Sequence, residues 1–138
     1  MSRLVRFGVS LESGLLEQFD RLIAKRGYTS RSEALRDLIR QELVHEEWEE
    51  DREVAGTVTF LYDHHTRGLS ARLTDIQHDH QDLIISTQHI HLDHHTCLEI
   101  VAVRGRASDV LKLANALRSV KGVRHGSLSM SSTGKTLL

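Results

Sequence analysis

The first fifty residues hold one strand and two helices, and that set cannot close on itself. From Val5 the chain alternates strictly, with Val5, Phe7, Val9 and Leu11 on one face and Arg6, Gly8 and Ser10 on the other. That is the period of a half-buried strand. Leu15, Leu16, Phe19, Leu22 and Ile23 follow at helical spacing, and Gly27 stops the helix. Ser30 and Glu33 then form a capping box ahead of a second stripe, Leu35, Leu38, Ile39 and Leu43. A lone strand has no partner for its backbone N–H and C=O groups, and so short a segment buries little core.

Two copies remove both difficulties. Their strands pair into an antiparallel ribbon, their helices interlock, and Arg6, Gly8 and Ser10 face outward twice over. A two-stranded ribbon fits the DNA major groove, where arginine reads guanine and serine reads several bases. The start of the second helix, Thr29–Ser30–Arg31, offers N–H groups to a phosphate. Over residues 3–48 the chain resembles the ribbon-helix-helix transcription factors, a likeness that implies a DNA-binding dimer with Arg6 and Ser10 on the bases. Gly8 stands where that family usually carries a hydroxyl residue, and it has no side chain for readout. The competing reading is a helical dimerisation domain whose outer strand face is only solvated.

Residues 54–138 read differently. GTVTFLYD, DLIISTQHIH and CLEIVAVRG are strands, VRHGSLSMSS a weaker fourth, and RGLSARLTDIQHDH and SDVLKLANALRSV are helices. Ser108 is the expected cap of the latter, and Gly122 its stop. The order β-α-β-β-α-β predicts a ferredoxin-like, four-stranded antiparallel sheet with both helices on one face. The fold class is therefore α+β, with domains at 1–50 and 54–138. Between them HEEWEEDRE carries six acids and one arginine, so the net charge of −1 hides two slightly basic halves.

Eight of the ten histidines lie between positions 64 and 95. His89 and His91, two apart on a strand, leave the same face, and Cys97 opens the partner strand across the short turn LDHHT. His94 and His95 belong to the turn and are expected to be solvated. On the preceding helix His80 falls on the buried stripe, whereas His78 points away from its own sheet. The inferred metal set is His89, His91 and Cys97 of one chain with His78 of another. Three imidazoles and a thiolate suit tetrahedral zinc, or planar nickel(II) or copper(II). No C-x-x-C pair supports a zinc finger. The bland alternative is a histidine-rich metal sponge, and His64, His65 and His80 are candidates for secondary low-affinity sites.

The metal is chosen by likeness, not by composition. A ribbon-helix-helix segment followed by β-α-β-β-α-β, with RFGVSL, GYTSRSEALRDLIR, TQHIHLDHHTCLEI and GVRHG in order, resembles the nickel-responsive transcriptional regulator family, NikR. The resemblance spans essentially the whole chain. It implies a homotetramer, a dimer of dimers around ACT-like regulatory domains. Nickel(II) would lie in a square plane of His89, His91, Cys97 and a neighbour's His78. The loaded form would bind a palindromic double-stranded operator and repress nickel-uptake genes. It also implies a second cation site at Glu33 and Asp37 in some members, against which stands neutralisation by Arg31, Arg36 or Arg40. Arg67, at the start of the helix carrying His78, is a candidate phosphate contact.

Other classes fit less well. An antitoxin-type ribbon-helix-helix repressor would end in a toxin-binding tail, where this chain shows a folded pattern. A nickel store or chaperone would need no nickel-dependent DNA affinity. A metalloenzyme needs an open coordination position and a carboxylate or base at the hairpin, and the sequence shows no such partner there. No apolar run approaches membrane-spanning length, and the amino-terminal stretch has no signal-peptide core. A single cysteine forms no internal disulfide, so a reducing, cytoplasmic setting is expected.

Overall fold

The computed structural model describes residues 3–138. Helix α1 (Ser13–Lys25) and helix α2 (Arg31–Glu49) open the chain. Gly27, at φ 82°, ends α1 in a left-handed turn. Gly27 N–H donates to the Ala24 carbonyl at 3.1 Å and Tyr28 N–H to that of Ile23 at 3.0 Å, so the last carbonyls are satisfied in a Schellman motif. At the start of α2 the Glu33 N–H donates to Ser30 Oγ at 3.2 Å. The Glu33 carboxylate instead accepts from the Thr29 hydroxyl at 2.7 Å, so only one arm of the expected capping box forms. Residues 3–12 belong to no helix or strand. The strand expected from Val5 does not form within one chain, because no second strand among the described residues faces its backbone.

The chain packs as two compact units, one running to Leu43 and including Leu137–Leu138, the other spanning Val44–Thr136. In the second, strands β1 (Glu53–Asp63), β2 (Ile84–His91), β3 (Thr96–Arg106) and β4 (Val123–Met130) alternate with helices α3 (Leu69–Asp79) and α4 (Ala107–Arg118). The sheet order is β2-β3-β1-β4, with every pairing antiparallel. This is the ferredoxin-like order predicted from the alternation of elements.

Alternation within β1 and β3 decides which face is covered. Val54, Val58, Phe60 and Tyr62 of β1 and Val101 and Val103 of β3 are buried with Leu69 and Leu73 of α3 and Val110, Leu113 and Leu117 of α4. Each such side chain contributes roughly 1.5–3 kcal/mol when taken from water. The intervening residues, among them Thr57, Leu61, Leu98 and Ile100, are half-buried on the opposite face. Trp48, inside the acidic run, joins the core and donates its Nε1–H to the Ser131 carbonyl at 2.8 Å. Its neighbour Glu47 is also buried and accepts from the Thr136 hydroxyl at 2.7 Å.

Ser108 does not cap α4, as the sequence suggested. It lies inside the helix, and its N–H donates to Asp51 Oδ1 at 2.7 Å. The cap comes from 57 residues away, a distance no local pattern reveals. Gly122 does not end α4 either; the helix closes at Arg118, and Gly122, at φ 106°, makes the turn into β4. No helix among the described residues is long and apolar enough to cross a membrane.

Candidate metal centre

The β2–β3 hairpin is held shut at its tip. Asp93 Oδ1 accepts from the N–H of Thr96 at 2.7 Å and of His95 at 2.8 Å, and Leu92 N–H donates to the Thr96 carbonyl at 2.9 Å. Those N–H groups, Thr96 first, hold the Asp93 carboxyl below the usual carboxylate range. The register sets His91 opposite Cys97 and His89 opposite Glu99. Residues paired across an antiparallel ladder share a face. His89, His91 and Cys97 therefore project from the same face, as expected. That is also the helix-covered face, since Cys97 and Glu99 are each 1% exposed.

Glu99 is what the sequence reading missed. It is a buried carboxylate that accepts from Tyr62 Oη–H at 2.9 Å and from Gln77 Nε2, and His89 Nδ1 lies 3.1 Å from it. A buried carboxylate is tolerated only when so paired. The Tyr62 phenol is pushed well above its ordinary value, first by burial, then by hydrogen bonding to Cys97 and the charge of Glu99. It therefore stays a donor. Gln77 Oε1 accepts from the Thr87 hydroxyl at 2.9 Å, which fixes which way the amide points. One chain of hydrogen bonds thus runs from Thr87 on β2, through Gln77 on α3, to Glu99, against which the His89 ring is set. The hairpin does have a carboxylate partner, contrary to the expectation of none. The signal was present in CLEIVAV, where Glu99 stands in the alternating set Cys97, Val101, Val103 that the strand buries.

The geometry has a chemical consequence. With Nδ1 set against the Glu99 carboxylate, His89 keeps Nε2 for a ligand, the arrangement by which a carboxylate orients a metal-binding imidazole. A buried thiol beside such an imidazole is a donor set of the soft and borderline kind that transition metals prefer. The residues fit a nickel(II) ligand set in type and in the face they share. They are not drawn together to coordination distance within the described chain, where Asp63, His65 and His95 are the residues placing donor atoms within 4.8 Å of one another. His78 is exposed in the last turn of α3, facing away as predicted. His80 is half-buried and spends Nδ1 on the Ile76 carbonyl at 2.8 Å.

In the amino-terminal unit Arg6, Gly8 and Ser10 are all exposed. Asp37 accepts from the Tyr28 hydroxyl at 2.8 Å and lies 3.8 Å from Arg40. Arg31 is instead committed to Asp20 at 2.9 Å. Neutralisation of Asp37 therefore comes from Arg40, with Tyr28 as an unforeseen donor.

Comparison with known proteins covers both units. Residues 5–46 match the family of ribbon-helix-helix proteins of the copG type, and residues 55–131 match the NikR C terminal nickel binding domain. A protein named "Putative nickel-responsive regulator" from Syntrophus aciditrophicus is 64% identical over 135 residues, covering 98% of each chain. Proteins of the same name from Chlorobium limicola and from Nitratidesulfovibrio vulgaris, strain Miyazaki F, are 59% and 56% identical. They cover 97% and 99% of this chain and 100% and 99% of their own. Among solved structures, an uncharacterized protein from Thermotoga maritima superposes with a TM-score of 0.52 at 9% identity. It covers 57% of this chain and 98% of its own, a likeness of fold alone.

Proposed function

The chain belongs to the nickel-responsive regulator family, transcription factors and not enzymes, and from that premise we propose that its nickel(II)-loaded form binds operator DNA and represses nickel-uptake genes. Two copies pair residues 5–11 into a ribbon that carries Arg6 and Ser10 to the bases of a palindromic site. Two such dimers associate through the Val44–Thr136 units into a homotetramer, in the cytoplasm. The metal ligands are His89, His91 and Cys97 of one subunit and His78 of its neighbour. Bound nickel(II) would supply a link between side chains of two subunits, which neither chain has alone.

The observation that carries this reading is the Glu99 carboxylate, shared between His89 on the hairpin and Gln77 on α3. Gln77 precedes His78 in the chain. Glu99 orients the His89 ring, and through Gln77 it fixes the turn of α3 that presents His78 outward. The hairpin and the helix thus form one positioned unit on which a neighbour's ligands converge. Loading favours the DNA-competent arrangement to the extent that this arrangement binds the metal more tightly, typically a coupling of about 5–150-fold.

The test is a mobility-shift titration of operator DNA with apo and nickel(II)-loaded protein, parent and Cys97→Ala. Operator affinity should rise on loading in the parent and stay at the apo level in the variant. Equal affinity of the two parent forms would leave a nickel store, and no affinity in either would remove the regulator.

A further inference from the structure

The sequence D-H-H occurs twice, at Asp63–His64–His65 and at Asp93–His94–His95, and the fold brings the two copies together. They lie 30 residues apart, one at the end of β1 and one in the β2–β3 turn. Each folds into the same local turn: His65 N–H donates to Asp63 Oδ1 at 2.9 Å, and His95 N–H to Asp93 Oδ1 at 2.8 Å. The turns are tied to each other by the His64 backbone, whose N–H donates to the His95 carbonyl at 3.2 Å. The His64 ring adds a bond from Nε2 to the His94 carbonyl at 2.9 Å.

The result is a knot of imidazoles at one end of the sheet. The His65 ring centroid lies 5.0 Å from that of His94 and 5.3 Å from that of His95, and those two lie 4.9 Å apart. Asp63 adds a carboxylate, 3.5 Å from His65 Nδ1, and its donated N–H, from His65, holds it below the usual carboxylate range and so ionised. Ligating atoms of Asp63, His65 and His95 all fall within 4.8 Å of one another. His64 spends Nε2 on the His94 carbonyl and is not among the three residues whose ligating atoms converge.

We propose that Asp63, His65 and His95 form a second metal site on each chain, taking a borderline divalent transition ion such as zinc(II). The ligand set differs in kind from the thiolate set of His89, His91 and Cys97. Two imidazoles and a carboxylate, with no sulfur, suit zinc, cobalt or nickel in an open site completed by water. All three ligands come from one subunit, so the site needs no neighbour. Because His95 sits in the turn two residues before Cys97 of β3, an ion there fastens the end of β1 to the hairpin that bears the thiol. The site stands on its own geometry and not on the nickel reading.

Isothermal titration of the full chain, first with one equivalent of nickel(II) and then with zinc(II), tests this. The parent should take one further zinc(II) per chain, and the ring protons of His65 and His95 should shift in histidine-selective NMR. The pair His65→Ala with His95→Ala should weaken the zinc event at least about tenfold, as losing ligands costs no less than losing their outer partners. It should leave the nickel event in place, which also shows that the variant is folded. Asp63→Asn should weaken zinc uptake while preserving the turn. A parent that takes no zinc after nickel, or a double variant that takes it as well as the parent, overturns the proposal. Cys97→Ala separates the two readings. Loss of the nickel event with retention of the zinc event supports both, whereas loss of both events overturns the independence of the second site.

Discussion

Phe7 and Phe60 stand in the same kind of alternating run, yet Phe60 is 0% exposed and Phe7 is 73% exposed. Phe60 lies on β1, with β3 and β4 on either side and two helices over one face, so its unit finishes its own core. Phe7 belongs to a segment with one strand's worth of pattern and no strand to pair with among the described residues. The apolar face Val5–Phe7–Val9–Leu11 is left on the surface. The difference teaches that apolar alternation specifies a buried face without specifying who buries it. A chain can encode one domain that is complete and one that is half of an object.

The largest expected effect lies in the complete unit. Leu113→Ala, at a fully buried position of α4, should lower stability by about 2–5 kcal/mol in urea unfolding, and the loss should persist at dilutions where copies separate, because the cavity lies inside one chain. Phe7→Ala should instead show its effect through the concentration dependence of the midpoint, if the proposed ribbon shares its core between copies. If both variants behave alike with dilution, the contrast between the units breaks. Next in size is the outward face of the same segment. Arg6→Ala should weaken operator binding by about 1–3 kcal/mol and relax preference at one base position in a binding-site selection. A loss spread evenly over all sequences would turn Arg6 into a phosphate contact. Glu99→Gln sharpens the comparison from inside the complete unit. Nickel affinity should fall about tenfold by competition with a chelator, with little change in apo operator binding.

The smallest effect concerns the borrowed cap. The Ser108 N–H, first among several partners, lowers the folded pKa of Asp51. Stability from this contact is therefore present above the unfolded carboxylate value of about 3.9 and is lost as pH falls through the lower folded value. Thermal unfolding of parent and Asp51→Ala should differ at neutral pH and converge in strong acid. A difference that persists unchanged into acid would assign the cap to something other than the charge.

What was legible in the chain followed periodicity. The β-α-β-β-α-β order, the buried face of β1 and β3, and the outward turn of His78 all come from spacings of two or about 3.6 residues, which a reader can count. What was not legible depends on partners far apart in the chain. Asp51 reaches Ser108, and Trp48 reaches Ser131 from within a run that reads as pure charge. Glu99 was hidden for another reason: a carboxylate in a strand reads as solvated unless its place in the alternating set is taken at its word. His65 was a candidate for a secondary site, but Asp63 and His95 escaped because the two D-H-H segments are joined by strand register, which pairs Asp63 with Thr96.

The order β2-β3-β1-β4 has one more consequence, for the time each amide keeps its proton. β1 and β3 are flanked on both sides, so their N–H groups exchange with solvent only when the sheet opens. β2 is an outer strand, with half its amides outside the ladder, and it carries His89 and His91, while Cys97 and Glu99 lie on the protected β3. A ligand that clamps these residues together would leave β3 almost unchanged in deuterium uptake and slow β2 markedly. The imprint of metal on this protein is thus expected along a single strand, on a scale of minutes.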